Sequence, residues 1–556
     1  MAVDPSYAGH AAGARAQGGS SSVLDVLVVG AGPTGLTAAG DLARAGRSVA
    51  VLDRRPDRSR RSRAFATTAS TLELLDARGL AEDLLARGVP ARELDLGLRG
   101  GPLRLPPLAS AFAFALVVPQ AEVDAALDRS ARAHGAAVHR GVEVVDLAQD
   151  DGLVVVTTRP TSGEGPPTTW RARYVVGADG ARSTVRRLVG VPFPGRTVLS
   201  SMVLADVRLT GGPPPERLTV RTTTDGFAFL VAYHREEGAG WYRAITWDRR
   251  REVPLEVPLA DAEVVDRLRS ARPDVGVAEV GWRSRFSSDE RQVGAYRVGR
   301  VLLAGDAAHV HSPMGGQGMN TGVQDAAGLA WKIDAVLGGA PDAVLDTHGS
   351  ERHPVGRRVL RRSGLMARGL TTGSPALRAL RDAVLPVVLR LPPARDRVVG
   401  GFAGTTSRYP RGRGEARLVG TRATAVPLVE GSLTAVLRTT PGFVLVEPRD
   451  VAAPGPAVAP LMRVRRTDRG PALLVRPDGY VAWAGTRGQA PDGWRAVLAW
   501  WTGTEVDGRR VGPRGRARTP RADTRSPSDD RGSRGLGVGV PARDARAQEA
   551  RRRAGP

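Results

Sequence analysis

A short apolar run, Val23 to Val29, leads directly into Gly30-Ala31-Gly32-Pro33-Thr34-Gly35, and Leu36 to Ala45 follows with helical spacing. No other feature constrains the fold as much. A buried strand that turns through glycines into a helix commits the N-terminal part to a parallel sheet covered by helices. Gly46 ends the helix, and Ser48 to Leu52 reads as the next strand, closed by Asp53 and Arg54. Gly30 permits the tight turn, Gly32 lets backbone approach a diphosphate and Gly35 permits close helix–strand packing. The start of the helix, with Thr34 in its first turn, favours negative charge. Asp53 stands where a ribose-binding carboxylate is expected.

A second anchor lies far along the chain. Val301 to Ala304 reads as a buried strand, and Asp306 sits at its carboxyl end in Gly305-Asp306-Ala307-Ala308-His309. Alone, Asp306 would serve equally as a helix N-cap or as an acceptor for sugar hydroxyls. The turn that follows, Pro313 to Asn320, favours the second use. Gly315, Gly316 and Gly318 allow backbone N–H groups to lie against a planar ring, with Met319 and Asn320 at its edge. A dinucleotide held at two such ends suits FAD better than NAD. His309 and His311 would share one side of a strand, but no further ligand cluster accompanies them, so the pair reads as packing and local hydrogen bonding, not as a metal site. His353 reads as a helix hydrogen-bonder.

The 556 residues imply two or three domains. A formal net charge of +23 invites a nucleic-acid reading. Nearly every basic residue is Arg, with Lys332 the only lysine, which is a GC-rich coding bias. From Arg509 to Pro556, 14 Arg face 5 acidic residues, so part of the charge belongs to a tail. No nucleic-acid partner is expected. The absence of cysteine excludes disulfides, thiolate metal sites and a covalent Cys–flavin link. No apolar run approaches the ~18 residues that cross a bilayer. A cytoplasmic protein without a membrane partner is the expectation, with residues 1–22 and 509–556 disordered.

Between the anchors, residues 193–297 alternate apolar and polar positions with Gly and Pro breaks. Val203 to Leu209, Leu218 to Thr222, Phe227 to Ala232 and Trp241 to Thr246 fit antiparallel strands. The α/β architecture therefore has a Rossmann-like FAD-binding domain (23–192 and 298–400, with long helices) interrupted by an antiparallel β-sheet domain. A further α/β domain is expected over 401–508.

These fingerprints resemble the class A FAD-dependent monooxygenases of the para-hydroxybenzoate hydroxylase fold. Within them the chain is most similar to the aromatic polyketide hydroxylases, including the anthracycline and angucycline hydroxylases and rifampicin monooxygenase. The resemblance covers about residues 24–505. Besides the two anchors it rests on Tyr174-Val175-Val176-Gly177-Ala178-Asp179-Gly180-Ala181-Arg182-Ser183-Thr184-Val185-Arg186. It implies cofactor contacts at Arg63, Gln120, Asp179 and Pro313, with Pro313 beside the reacting edge of a flavin and Arg63 on the path of its swing. It also implies that 401–508 is thioredoxin-like, a domain that without cysteine packs or makes dimer contacts. Two departures are noted: Thr67-Thr68-Ala69-Ser70 replaces a stretch where relatives carry His or Gly and then Arg, and Gly328 replaces an Asn.

The implied activity is hydroxylation of a phenolic or quinone-type multi-ring polyketide through a flavin C4a-hydroperoxide. Non-covalent FAD, NADPH or NADH, and O2 are its cofactors and co-substrates. Phe227, Phe229 and Tyr242 would face the substrate. No protein base is assigned, because a substrate phenol supplies its own electron push. Baeyer–Villiger or antibiotic-inactivating chemistry, or a non-catalytic flavin-binding role, remain as alternatives, and the protein is a monomer or homodimer.

Overall fold

The computed structural model describes residues 22–59, 64–97, 101–104, 110–232, 240–450, 461–485 and 493–504. The elements that position the site are strand β1 (Leu24–Val29), helix α1 (Pro33–Arg44), β2 (Val49–Asp53), β3 (Thr168–Gly177), β4 (Gly195–Thr210), β5 (Gly226–Ala232), β6 (Trp241–Asp248), α2 (Asp261–Ala271), β7 (Gly276–Gln292), β8 (Val301–Leu303), α3 (Gly318–Leu337) and α4 (Ala343–Thr371).

The first sheet is built as the glycine turn requires. Its parallel core runs β8, β3, β1, β2 and then Ala137–Arg140. β1 pairs with β2 on one side and with β3 on the other, so the chain reverses direction of winding at β1. A crevice opens at such a point, outside the carboxyl ends of the strands. Gly30, Asp53, Asp179 and Asp306 all follow directly on those ends or close them. Both faces are covered. α1 and α3 pack together through Leu36, Ala39, Val323 and Ala327, all buried. The strands are accordingly continuous apolar runs, such as Val26 to Val29 and Val49 to Leu52.

The second sheet has eight strands, ordered His309–Val310, β7, β4, β6, β5, Arg217–Thr222, Glu93–Asp95 and Leu103–Arg104. The sequence reading placed this layer wholly within 193–297. The structure extends it in both directions: Glu93–Asp95 joins in parallel with Arg217–Thr219, and His309–Val310 pairs with Arg291 and Gln292 of β7. Strands of two or three residues carry too little periodicity to be read alone. The His309–Val310 pairing matters, because it ties the sheet to the turn that carries Asp306.

Alternation assigns the two faces. Ala228, Leu230, Ala232 and Tyr242 pack against Val264 and Leu268 of α2. Phe227, Phe229, Val231, Ile245 and Trp247 point the other way, toward Ala367 and Leu370 of α4 and Met314.

A third layer contains a four-stranded sheet ordered Leu461–Arg465, Phe443–Glu447, Leu473–Val475 and Val481–Ala484, with helices Leu433–Thr439 and Gly493–Thr502. It is not set apart by a linker. Leu474, Phe443 and Trp501 form one core with Trp331 of α3. Beneath that core lies a buried ion network. Glu351 accepts from Lys332 at 2.6 Å and from Arg476 at 2.5 Å, and Arg476 also pairs with Asp478. α4 runs unbroken from Ala343 to Thr371 although Gly349 and Pro354 lie inside it. Docking on the first sheet, with His348 Nε2 donating to the Leu303 carbonyl at 3.0 Å, outweighs the local propensity.

The packing predicts a contrast at the glycine turn. A Cβ on Gly35 would lie 1.9 Å from the Gly30 carbonyl oxygen, whereas one on Gly32 meets nothing within 4 Å. Thermal unfolding should show Gly35→Ala destabilised by about 3 kcal/mol through forced separation of helix and strand, and Gly32→Ala nearly unchanged.

Candidate active site

Two anchors that are some 270 residues apart in sequence meet at one side chain, Thr34. A Cβ on Gly305 would lie 2.5 Å from Thr34 Oγ1, and one on Gly322 would lie 2.3 Å from it. Glycine at both positions therefore lets the first turn of α1 seat between the Asp306 turn and α3. Gly305 has φ +61°, a conformation glycine adopts without strain. The result places the N-terminus of α1, the Asp306 carboxylate and the N-terminus of α3 side by side.

Each part fits a flavin dinucleotide. Gly32 is the N-cap of α1, no side chain caps that helix, and the space beside Gly32 is open. Such an end offers N–H groups and a positive dipole to a diphosphate. Asp53 is buried. Its Oδ2 accepts from Ala31 N at 2.7 Å and its Oδ1 from Arg55 N at 2.8 Å, so it braces the glycine turn while keeping lone pairs for a ribose hydroxyl. Arg54 is exposed beyond it. Asp306 lies exposed in the short 3-10 turn Gly305–Ala307. Pro313 opens a second 3-10 turn, Pro313–Gly315, and Gly316 follows with φ +58° and open space around it. α3 starts at Gly318 without a side-chain cap. Developing negative charge on a ring placed there meets the helix dipole.

Several expected contacts have different work in the structure. Asn320 was expected at the ring edge, yet its side chain is fully buried and spent. Its Oδ1 accepts from Thr68 N and Thr68 Oγ1 at 2.9 and 3.2 Å, and its Nδ2 donates to Ala66 O and Gly316 O at 2.9 and 2.8 Å. That uses all four hydrogen bonds an amide can make, so only its backbone is left for a ring. Met319 packs its side chain into the α1–α3 core. Asp179 accepts from Ser183 Oγ at 2.5 Å and from Thr184 N and Val185 N, which commits it to its own turn. Gln120 accepts from Ala64 N at 3.2 Å and so fastens the segment leading to Phe65. Arg63 lies outside the described residues.

Tyr242, expected beside Phe227 and Phe229, lies apart from them. Its hydroxyl donates to Pro213 O at 2.7 Å on the α2 face of the sheet, opposite Phe227 and Phe229. Residues 227 and 229 share a face by the period of two, and Tyr242 pairs with Ala232, which faces away. Phe229 instead meets Phe65, with ring centroids 5.4 Å apart, and Met314 from the Pro313 turn packs in the same cluster. Phe65, Trp247 and Met314 were not singled out from sequence, because an apolar residue carries no mark of which cluster it joins.

Other missed residues hold the turns. Arg186 donates to Ala307 O at 3.0 Å and to Ala181 O at 2.9 Å, with its guanidinium 3.8 Å from the Phe193 ring centroid. It is an internal tie between two fingerprints. Asp325 is fully buried. It accepts from Gly305 N at 3.0 Å, His309 Nε2 at 2.6 Å and Arg352 Nε at 2.5 Å. Burial raises the pKa of such a carboxyl, but Arg352 and His309 beside it hold it well below the usual range. His309 thus has the local hydrogen-bonding role expected for it. His353 packs edge-on to Tyr296. Among the described residues no cluster of acidic and histidine side chains could hold a metal, and no helix is long and apolar enough to cross a membrane.

Neutralising Asp325 would leave Arg352 buried without its charge partner. Asp325→Asn should lose about 3–5 kcal/mol of stability in a denaturant titration. The folded fraction should also retain FAD less well than wild type after gel filtration, because Gly305 is released.

Comparison with known proteins places this geometry. A family model described as FAD binding domain matches residues 23–363, and one described as aromatic-ring hydroxylase, C-terminal, matches residues 416–504. The chain is 36% identical over 514 residues to the 12-dehydrotetracycline 5-monooxygenase/anhydrotetracycline 6-monooxygenase of Streptomyces rimosus, covering 86% of this chain and 99% of that protein. It is 36% identical over 482 residues to a rifampicin monooxygenase of Streptomyces venezuelae, covering 83% and 96%. The solved structure of an anhydrotetracycline hydroxylase from Streptomyces rimosus matches with a TM-score of 0.74 at 33% identity, over 87% of this chain and 100% of that one. With both anchors, the intervening sheet and the C-terminal layer covered, the chain belongs to the FAD-dependent aromatic-ring monooxygenases.

Proposed function

We propose that the protein hydroxylates a phenolic or quinone-type multi-ring aromatic polyketide at the expense of NADPH or NADH. The single observation that carries this reading is the meeting at Thr34 of a diphosphate-binding helix end and a hydroxyl-accepting Asp306, below a sheet face rich in aromatic side chains. Bound FAD supplies the redox chemistry, taking up two electrons and activating O2.

The chain's own part is placement and shielding. Asp306 would accept hydroxyls of the ribityl chain, and the backbone of Gly316, Gly318, Met319 and Asn320 would lie against the ring. The N-terminus of α3 stabilises negative charge there. Phe227, Phe229, Trp247, Met314 and Leu370 provide an apolar wall that positions a flat substrate and excludes water. A wall of this kind suits a fused-ring molecule, which buries its area on rings and needs few polar contacts. The layer from 193 to 297, with its recruited strands, is the substrate domain in this reading. Residues 401–508 form a thioredoxin-like domain. The strand order around Phe443–Glu447, with one parallel and two antiparallel pairings, supports that assignment. Without cysteine, its work is packing against α3 and α4.

Purified protein loaded with FAD should oxidise NADPH faster when an anthracyclinone or tetracycline-type phenol is added, with one oxygen gained in the product by mass spectrometry. Ring cleavage or a lactone would favour the Baeyer–Villiger or inactivating alternative. FAD occupancy without stimulated oxidation across the panel would favour a binding protein. Asp306→Ala should fold normally and retain FAD at least tenfold less tightly, about the value of one charge-assisted hydrogen bond. Undiminished yellow occupancy in that variant would contradict the role given to Asp306.

A further inference from the structure

Near the Asp306 turn, two neighbouring buried side chains are left unsatisfied among the described residues, the Ser312 hydroxyl and the imidazole of His311. The His311 side chain is buried, with 9% exposure, and its Nε2 has no hydrogen-bond partner among the described residues. The other ring nitrogen, Nδ1, lies 3.1 Å from the Ser312 carbonyl oxygen. A carbonyl only accepts, so Nδ1 carries the proton and donates, and Nε2 is left with a lone pair. The ring is neutral at physiological pH: burial pushes the imidazole down to about 4, against a smaller opposing effect of the Ser312 contact. A buried acceptor left without a donor is unfavourable.

Its position shows what could supply that donor. The point that a Cβ on Gly318 would occupy is 4.0 Å from His311 Nε2 and 4.0 Å from Asp306 Oδ1. An imidazole lone pair and a carboxylate therefore flank the first residue of α3 together. Both groups accept. A phosphate presents only acceptors and would be repelled. A chain of hydroxyls presents several donors at short spacing and matches both.

We infer that His311 Nε2 accepts a hydrogen bond from a hydroxyl of the ribityl chain of FAD, next to the one taken by Asp306, so that two acceptors read the polyol. The inference rests on the flavin placement proposed above. It gives His311 a cofactor-positioning role in place of the packing role its H-x-H spacing suggested. The role needs the neutral imidazole that burial maintains, because a protonated Nε2 could not accept.

The test is a coupling measurement on apoprotein. Dissociation constants for FAD and for its 2′-, 3′- and 4′-deoxyribityl analogues are measured by flavin fluorescence for wild type, His311→Leu and His311→Gln. His311→Leu should bind FAD about tenfold more weakly. That loss should vanish for the one analogue that lacks the partner hydroxyl and persist for the other two. His311→Gln, which can present an acceptor oxygen, should recover part of the affinity for FAD, and it carries the test if the leucine variant does not fold. Equal losses on FAD and all three analogues would mean that His311 only shapes the turn and would overturn the inference, as would unchanged FAD binding. Failure of wild type to bind FAD at all would overturn the cofactor placement itself.

Discussion

The carboxylate of Asp325 is the interaction on which the cofactor site depends. It sits in the second turn of α3 with no exposure, and it reaches back to the Gly305 N–H, to His309 and across to Arg352 of α4. A buried ion is tolerated only when its partners are close and well oriented. Here those partners are the turn that presents Asp306, the strand that joins the second sheet, and the long helix behind both. One charge therefore ties the turn and its adjoining strand to the long helix, alongside the contact of His348 with the Leu303 carbonyl. Thr34, packed against Gly305 and Gly322, then brings the diphosphate-binding end to the same place.

The same charge network extends into the C-terminal layer. Arg352 donates to the Tyr409 hydroxyl at 3.3 Å, and Tyr409 stacks on Tyr480 with centroids 4.1 Å apart. Arg476, from the same layer, pairs with Glu351 beside Lys332, whose ammonium burial lowers to about 8 against the pull of Glu351. The C-terminal layer thereby braces α4, which carries Arg352 to Asp325. Gly328 belongs to this junction. The space a larger residue would take there is approached by Asp478 at 3.6 Å and Tyr409 at 3.8 Å. The departure at Thr67–Ser70 is also structural: Thr68 bonds Asn320, and Ser70 accepts from Gln324 at 3.0 Å.

Much of this was legible in the sequence, for reasons that can be stated. β1, the glycine turn and α1 were readable because local sterics and periodicity agree there. The antiparallel strands from Val203 to Thr246 were readable from alternation. What stayed hidden depends on contacts between distant residues. Asn320 carries the chemistry of a ring-edge contact, and only the position of Ala66 and Thr68 shows that its amide is already used. Tyr242 was grouped with Phe227 and Phe229, yet it lies on the opposite face, because alternation shows that two faces exist and not how separate strands align. Arg186 carries no sequence mark of its use as a tie to the Ala307 carbonyl, which needs the fold to be seen.

The account's central claim is that the two anchors form one flavin site at the switch point beside β1. A crystal structure of the protein with FAD tests it most directly. The claim predicts the diphosphate at the N-terminus of α1 by Gly32, the ribityl chain beside Asp306 and the ring against Pro313 to Gly318, facing Phe229. A flavin bound elsewhere, or with its ribityl chain away from Asp306, would contradict it.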